Sequence, residues 1–184
     1  MFTIGIAGGS CSGKTTLTNA LEARYTEMGK RVIAIHMDTY FKNPVPTVIA
    51  PFTGVEYPEN NHPDAVKLDE LYAALDTARA SDADVVIVEG LMILHLDEIR
   101  NKLDLKIFVD LMSDERMFRR IKRFMRDRGQ TMDEVAIRYL DTVRYRHNEF
   151  VEPSRWYADM VLNGAAELTK SCDIITAYTE ARGR

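Results

Sequence analysis

The chain has 184 residues, of which 46% are hydrophobic and 28% charged, and its formal net charge is −4. These proportions are typical of soluble globular proteins, and the length suits a single domain over residues 1–184. No apolar run reaches the roughly 18 residues of a membrane-spanning helix, and the N-terminus lacks the pattern of a secretory signal. Cys11 and Cys172 have no metal-ligand spacing and are too few for a disulfide framework. We therefore expect a reduced, cytoplasmic protein without a membrane partner.

Positive charge is concentrated in one segment of this acidic chain. Between residues 116 and 128 there are seven basic residues and one acid, Asp127, which leaves 17 of the 24 basic and 27 of the 28 acidic residues elsewhere. A basic island of this kind favours a local polyanion, such as a nucleoside triphosphate, over a nucleic-acid surface. We expect no nucleic-acid partner.

The first predicted strand leads directly into a phosphate-binding motif. Residues 2–7 are apolar and β-branched, residues 8–15 match G-x-x-x-x-G-K-[ST], and a helical pattern follows that should end at Gly29. Glycines allow backbone N–H groups to surround phosphate oxygens, while Lys14 would reach the β- and γ-phosphates and Thr15 would hold Mg²⁺. The predicted nucleotide-binding residues are Gly8, Gly9, Ser10, Cys11, Ser12, Gly13, Lys14, Thr15 and Thr16.

A second predicted strand, residues 31–37, ends at Asp38. Ligands in open α/β sheets bind beyond the carboxyl ends of the strands, so Asp38 should lie beside the phosphate-binding loop. There a carboxylate can accept a proton from an attacking hydroxyl or help to organise Mg²⁺. On position alone, a turn or capping aspartate is an equal alternative. Tyr40 and Phe41, which follow, are predicted substrate contacts.

Residues 43–63 contain five of the six prolines and predict an irregular flap on the substrate side. The flap ends with Asn61 and His62, which are further candidate substrate contacts. A helix is predicted after them, over residues 66–79. For His62, a turn role at the start of that helix is the more conservative interpretation.

Residues 84–88 form the clearest strand pattern of the chain and are followed by Glu89. An acid at the end of an apolar strand contributes little to packing, which favours a role in the Mg²⁺ shell. Residues 101–104 match the N-K-x-D motif of GTPases, but they precede a strand instead of following one. We interpret that match as chance.

The pattern of residues 113–130 predicts a helical lid, with Ser113 as the N-cap of its helix. Its expected apolar stripe comprises Met117, Phe118, Ile121, Phe124 and Met125. Arginines on a helix are usually solvated, but seven basic residues in one segment exceed what solubility needs. We predict that Arg120, Arg123 and Arg128 extend over the phosphates and stabilise charge on the transferring group.

The rest of the chain completes an alternation of strands and helices. A long amphipathic helix is predicted over residues 131–151, a fifth strand over residues 157–162, and a short final helix in the tail. Alternating patterns of this kind predict a parallel sheet with helices on both faces.

Together these segments resemble the uridine kinase/phosphoribulokinase family of P-loop kinases. The matching stretches are residues 8–15, 37–42, 62–65, 88–90, 108–110, 119–129, 150–154 and 157–159. The resemblance implies an α/β, three-layer P-loop NTPase fold, with a five-stranded parallel sheet and an arginine-rich lid. It also implies ATP and Mg²⁺ as co-substrates. The implied roles are general base for Asp38, metal organisation for Thr15 and Glu89, and lid arginines for Arg120, Arg123 and Arg128.

Three departures from the family concern the acceptor. Asn61 stands where uridine kinases carry an aspartate that holds the ribose hydroxyls, Gln130 stands where they carry an arginine, and residues 78–83 lack their base-recognising hairpin. We therefore expect phosphoryl transfer from ATP to a hydroxyl of a small metabolite, with a nucleoside as first choice and another metabolite, such as nicotinamide riboside, as the alternative. A non-catalytic ATP-binding regulator is a third interpretation, and a homo-oligomer is compatible with the sequence.

Overall fold

The computed structural model describes residues 1–182 and is built on a parallel sheet of five strands. The seven strands in chain order are β1 (Phe2–Gly8), β2 (Val32–His36), β3 (Thr47–Ile49), β4 (Glu56–Pro58), β5 (Val85–Glu89), β6 (Leu105–Asp110) and β7 (Met160–Asn163). The main sheet has the spatial order β2-β5-β1-β6-β7, and β3 pairs with β4 alone. The predicted parallel sheet is confirmed.

Helices flank the sheet and follow its strands. They are α1 (Lys14–Glu27), α2 (Leu68–Arg79), α3 (Asp97–Arg100), α4 (Ser113–Arg128), α5 (Met132–Arg138), α6 (Arg144–Arg146) and α7 (Leu168–Arg182). Two π-helical segments, Tyr139–Val143 and His147–Val151, join α5 and α6 into one helical run over residues 132–151. Short 3₁₀ segments occupy Met37–Tyr40, Pro63–Ala65 and Glu152–Tyr157.

Side chains that alternate across the strands divide the interior into two cores. In β5, Val86 and Val88 lie in the core that packs against α2, whereas Val85 and Ile87 lie in the core that packs against α1 and α7. All residues of β5 are buried, as expected for a strand covered on both faces. The two cores establish the three-layer arrangement.

The register of the sheet brings three strand ends together. Glu89, the last residue of β5, is paired with Ile6 of β1 on one side and with His36 of β2 on the other. The loop after β1 and the 3₁₀ segment after β2 therefore leave the sheet beside Glu89. This edge is the place where open α/β sheets bind their ligands.

Helix α4 departs from the predicted pattern in two respects. Met112 occupies the N-cap position instead of Ser113, and no side chain caps the helix. Most of the predicted apolar stripe is not buried, and Phe118 and Met125 are largely exposed. Phe124 is the stripe residue that is buried, and Arg116 and Arg120 are buried with it. The face of α4 that carries these arginines lies against the phosphate-binding loop.

The flap, residues 43–63, is more regular than predicted. Strands β3 and β4 form a short antiparallel hairpin in which Val48 lies opposite Tyr57. The hairpin is fastened to the helical run by Asp141, which accepts hydrogen bonds from the hydroxyls of Thr53 (2.9 Å) and Tyr57 (2.8 Å). Gly54, with a φ of 70°, supplies the left-handed conformation of the turn.

Two further expectations can be compared with the structure. Asp104 of the N-K-x-D match accepts the backbone N–H of Thr3 at 2.7 Å, which is a structural role. The final helix, α7, is longer than expected and spans 15 residues. Within residues 1–182, no helix combines the length and the apolar character that crossing a bilayer requires.

Candidate active site

The loop between β1 and α1 has the backbone geometry of an anion cradle. Gly8 and Gly13 have φ values of 144° and 108°, which favour glycine. A Cβ on Gly8 would lie 2.3 Å from the carbonyl oxygen of Val109, so no side chain fits there. The Lys14 ammonium donates to the carbonyl of Gly9 at 3.2 Å. Because α1 begins at Lys14, its free N–H groups face the same loop.

Glu89 is the centre of a hydrogen-bond network at the strand ends. The hydroxyl of Thr15 donates to Glu89 Oε1 at 3.1 Å, and Nδ1 of His36 lies 2.9 Å from the same oxygen. The side chain of Glu89 is buried, whereas Thr15 is exposed to the cavity described below. Contacts from two neighbouring elements therefore fix the orientation of the carboxylate.

Asp38 lies in the 3₁₀ segment after β2 and lines the same space as Glu89. Partial burial raises the pKa of the Asp38 carboxyl, an effect that the charge of Lys14 opposes and the charge of Glu89 reinforces. Burial also lowers the pKa of Lys14, although Glu89 and Asp38 counteract that shift. A carboxylate with a raised pKa binds a proton more readily than an ordinary aspartate, which suits a general base.

The predicted lid arginines are grouped around one aromatic ring. The guanidinium carbons of Arg120, Arg128 and Arg123 lie 4.3, 4.1 and 5.2 Å from the ring centroid of Phe124. Arg120 also donates to the hydroxyl of Ser10 in the phosphate-binding loop at 3.1 Å. Burial lowers the pKa of Arg120 to about 10, so it still carries its charge at neutral pH. The lid thereby presents clustered positive charge to the loop.

These groups surround a cavity of about 730 Å³, which is within the range of small-molecule sites. The predicted site residues that line it are Ser10, Cys11, Gly13, Lys14, Thr15, Thr16, Asp38, Phe41, Asn61, Glu89, Arg120, Arg123 and Arg128. Three predicted loop residues, Gly8, Gly9 and Ser12, are buried in the loop and do not line the cavity.

Two predicted substrate contacts lie outside the cavity lining. Tyr40 packs against the core on the α2 side of the sheet. Nδ1 of His62 accepts the backbone N–H of Asp64 at 3.1 Å and caps a 3₁₀ segment, and its ring packs edge-on against Phe150 at 4.7 Å. Core packing accounts for the position of Tyr40, and the cap matches the turn role that the sequence favoured for His62.

Sequence reasoning missed several residues that line the cavity, namely Asn60, Leu91, Arg119, Lys122, Arg126 and Arg138. The three on α4 belong to the basic segment, so its composition already contained their signal. Arg138 lies beyond the lid, on α5, and only the packing of the helical run directs it toward the cavity. No local pattern distinguishes it from the other arginines of that run.

The residues at the cavity floor fit Mg²⁺ and a polyphosphate. Mg²⁺ binds oxygen ligands, usually one or two carboxylates together with water and phosphate oxygens. The Thr15 hydroxyl and the carboxylates of Asp38 and Glu89 supply such a donor set along one wall. Among the described residues, no three His, Cys, Asp or Glu side chains form a metal cage. These oxygens would thus share the ion with phosphate and water.

Comparisons with known proteins agree with this geometry. The model of the phosphoribulokinase/uridine kinase family matches residues 73–169. Uridine kinase from Lactococcus lactis subsp. lactis is 34% identical, with 94% of this chain and 93% of that protein covered. This chain belongs to the phosphoribulokinase/uridine kinase family. Uridine kinase from Geobacillus kaustophilus is also 34% identical to this chain, with 95% of this chain and 91% of that protein covered.

Solved structures support the kinase fold independently of close sequence similarity. The crystal structure described as a fructose transport system kinase from Silicibacter sp. TM1040 matches this chain with a TM-score of 0.65 at 21% identity. The match covers 87% of this chain and 88% of that one. A possible uridine kinase from Bacillus stearothermophilus covers 88% of both chains, with a TM-score of 0.52 at 22% identity. At such identities the likeness concerns the fold alone.

Proposed function

We propose that this kinase-family member transfers the γ-phosphoryl group of ATP to a hydroxyl of a small metabolite, with a nucleoside as the first acceptor to test. The observation that carries the proposal is the convergence of Lys14, Asp38, Glu89 and the lid arginines on one cavity. The nucleoside is favoured because relatives that match almost the whole chain are uridine kinases.

The donor would bind at the phosphate-binding loop. Backbone N–H groups at the start of α1 and the ammonium of Lys14 would contact the β- and γ-phosphates. Thr15, Asp38 and Glu89 would hold Mg²⁺, which neutralises charge on the β- and γ-phosphate oxygens when it is bound. The raised pKa of Asp38 favours acceptance of the acceptor's hydroxyl proton.

The lid would stabilise the charge of the transferring group. Arg120 already reaches the loop through Ser10, and Arg123 and Arg128 share the face of Phe124 with it. Guanidinium groups at fixed positions stabilise developing negative charge more effectively than water, which must reorganise. Closure of the lid would also exclude water from the phosphoryl group and so reduce hydrolysis of ATP.

An acceptor panel tests this proposal. The protein is incubated with ATP and Mg²⁺ together with uridine, other nucleosides, nicotinamide riboside, pantothenate or sugar phosphates, and ADP release is measured. We expect at least one acceptor to stimulate ADP release well above the level of a Lys14→Ala variant. If no acceptor does so, and Asp38→Ala changes no measured property, a nucleotide-binding regulator replaces the kinase as the better interpretation.

A further inference from the structure

The lining of the cavity carries more positive than negative charge. The eight cations that line it are Lys14, Arg119, Arg120, Lys122, Arg123, Arg126, Arg128 and Arg138. Arg119 pairs with Glu115 and Arg126 with Asp127, whereas the other six have no carboxylate at ion-pair distance within residues 1–182. The lining carboxylates are Asp38 and Glu89, which leaves an excess of about four charges. MgATP carries about −2 and would offset part of this excess.

One of these cations, Arg138, lies where the cavity meets the flap. We call this side of the cavity its acceptor end. Arg138 stands on α5, and its terminal nitrogen donates to the carbonyl of Pro58 in the flap at 2.6 Å and lies 3.4 Å from Oδ1 of Asn60. These partners are neutral and hold the guanidinium without balancing its charge. Nε of Arg138 is buried and has no hydrogen-bond partner among the described residues. Burial and the charge of Arg128 lower the pKa of Arg138.

Glu59, the flap acid whose charge acts on Arg138, forms no ion pair with it. Glu59 is buried, its Oε2 lies 2.8 Å from Nε of Arg146, and its Oε1 accepts the backbone N–H of Asn61 at 2.7 Å. Both carboxylate oxygens are thus occupied by other groups. Arg138 keeps a positive charge beside Asn60, which also lines the cavity.

We propose that the acceptor carries an anionic group, a carboxylate or a phosphate, which binds Arg138 beside Asn60. The proposal rests on the kinase function proposed above and deepens it. A guanidinium offers a planar set of donors that matches either anion, and such charge-assisted hydrogen bonds are strong in a partly desolvated site. The anion would balance the residual charge, while the acceptor hydroxyl faces Asp38. A cationic acceptor, such as nicotinamide riboside, is disfavoured.

Matched acceptor pairs test the proposal. Uridine is compared with orotidine, which adds a carboxylate, and ribose with ribose 5-phosphate, which adds a phosphate. We expect at least one anionic member to exceed its neutral counterpart about 10-fold or more in kcat/KM, and the pair that does so identifies the anion. Arg138→Gln should reduce that preference about 10- to 100-fold through KM, with the affinity for MgATP unchanged. Equal or better turnover of both neutral members by the wild-type protein would overturn the proposal, as would a preference that Arg138→Gln leaves intact.

Two variants control for indirect effects. Arg138→Lys keeps the charge and should retain part of the preference for the anion, whereas Arg144→Gln changes an exposed arginine of the same helical run and should change nothing. If Arg138→Gln fails to fold, two other measurements test the proposal. The preference for the anionic acceptor should be smaller in Arg138→Lys than in the wild-type protein, and in the wild-type protein it should decline as ionic strength rises. Turnover of neutral acceptors alone overturns this proposal and leaves the kinase function standing. The absence of any turnover above Lys14→Ala overturns both.

Discussion

The donor end and the acceptor end of the cavity are built in different ways. At the donor end, the phosphate-binding loop, Asp38 and Glu89 each follow a strand of one sheet, so the hydrogen-bond register sets their relative positions. At the acceptor end, the flap and the helical run 132–151 meet through side chains, with Asp141 and Arg138 as the main contacts. The acceptor end can therefore change by substitution of single side chains while the donor chemistry stays in place.

The largest expected effect concerns Asp38, which faces both ends. In Asp38→Asn the amide cannot accept the hydroxyl proton, so kcat should fall by about 10²- to 10⁴-fold, beyond any loss of MgATP affinity that follows from one fewer carboxylate for Mg²⁺. Steady-state kinetics with the best acceptor and a nucleotide-binding titration measure the two quantities. Asp69→Asn, an exposed position on the first turn of α2, is the matched control. A large loss of MgATP affinity with normal kcat would place Asp38 at the donor end alone.

The next effect concerns the lid. Arg120→Gln removes the donor that reaches Ser10 and should lower kcat/KM by about 10²- to 10³-fold, because one preorganised charge on the transferring group is lost. The loss should appear equally with every acceptor, since Arg120 belongs to the donor end. Arg24→Gln, a surface substitution on α1, should leave kcat/KM unchanged. A loss confined to one acceptor would assign Arg120 to the acceptor end instead.

The difference between the two ends also decides how much the sequence could reveal. Lys14, Asp38 and Glu89 could be located because each follows a strand pattern, and parallel strands place their carboxyl ends at one edge. Arg138 could not be located, since its position depends on how the helical run packs against the flap. Asp141, which fastens the hairpin, was missed for the same reason.

His62 and α4 show what local patterns leave open. For His62 the sequence offered a substrate contact and, more conservatively, a turn role, and its ring does accept the backbone N–H of Asp64 as a cap. On α4, hydrophobic periodicity predicted an apolar stripe, and of its residues Phe124 is buried together with Arg116 and Arg120, because the helix faces a polar loop. Periodicity predicts which residues share a face, and tertiary packing decides which face is covered.

A smaller effect is expected where the acceptor end is fastened. Asp141→Asn weakens two hydrogen bonds from the flap hydroxyls of Thr53 and Tyr57 and should raise the acceptor KM by about 3- to 10-fold, with MgATP affinity unchanged. The exposed Asp133→Asn on the same helical run is the control. A parallel loss of MgATP affinity would show that the flap and the donor end are coupled more tightly than their contacts suggest.

The smallest effect is on stability and concerns Asp38 in the free protein. The folded pKa of Asp38 is raised by burial and by Glu89, so its folded form binds a proton more tightly than its unfolded form. Below the pKa of Asp38 in the unfolded chain, the carboxyl is protonated in both the folded and the unfolded state, so its burial does not lower the free energy of unfolding. As pH rises through the folded pKa, the folded state must hold a destabilised carboxylate, and stability falls. Asp38→Asn avoids this cost at neutral pH.

The inactive Asp38→Asn variant should therefore have a slightly higher Tm than the wild-type protein at pH 7. Thermal unfolding of both proteins without nucleotide, measured from pH 7 toward pH 4, should show the difference shrinking as the wild-type carboxyl becomes protonated. Asp69→Asn, whose carboxyl is exposed, should show no such pH-dependent gain. A lower Tm for Asp38→Asn at pH 7 would mean that the carboxylate stabilises the cavity, for example through Lys14, more than burial penalises it. In that case, the Asp38 carboxylate would contribute both to catalysis and to the stability of the folded protein.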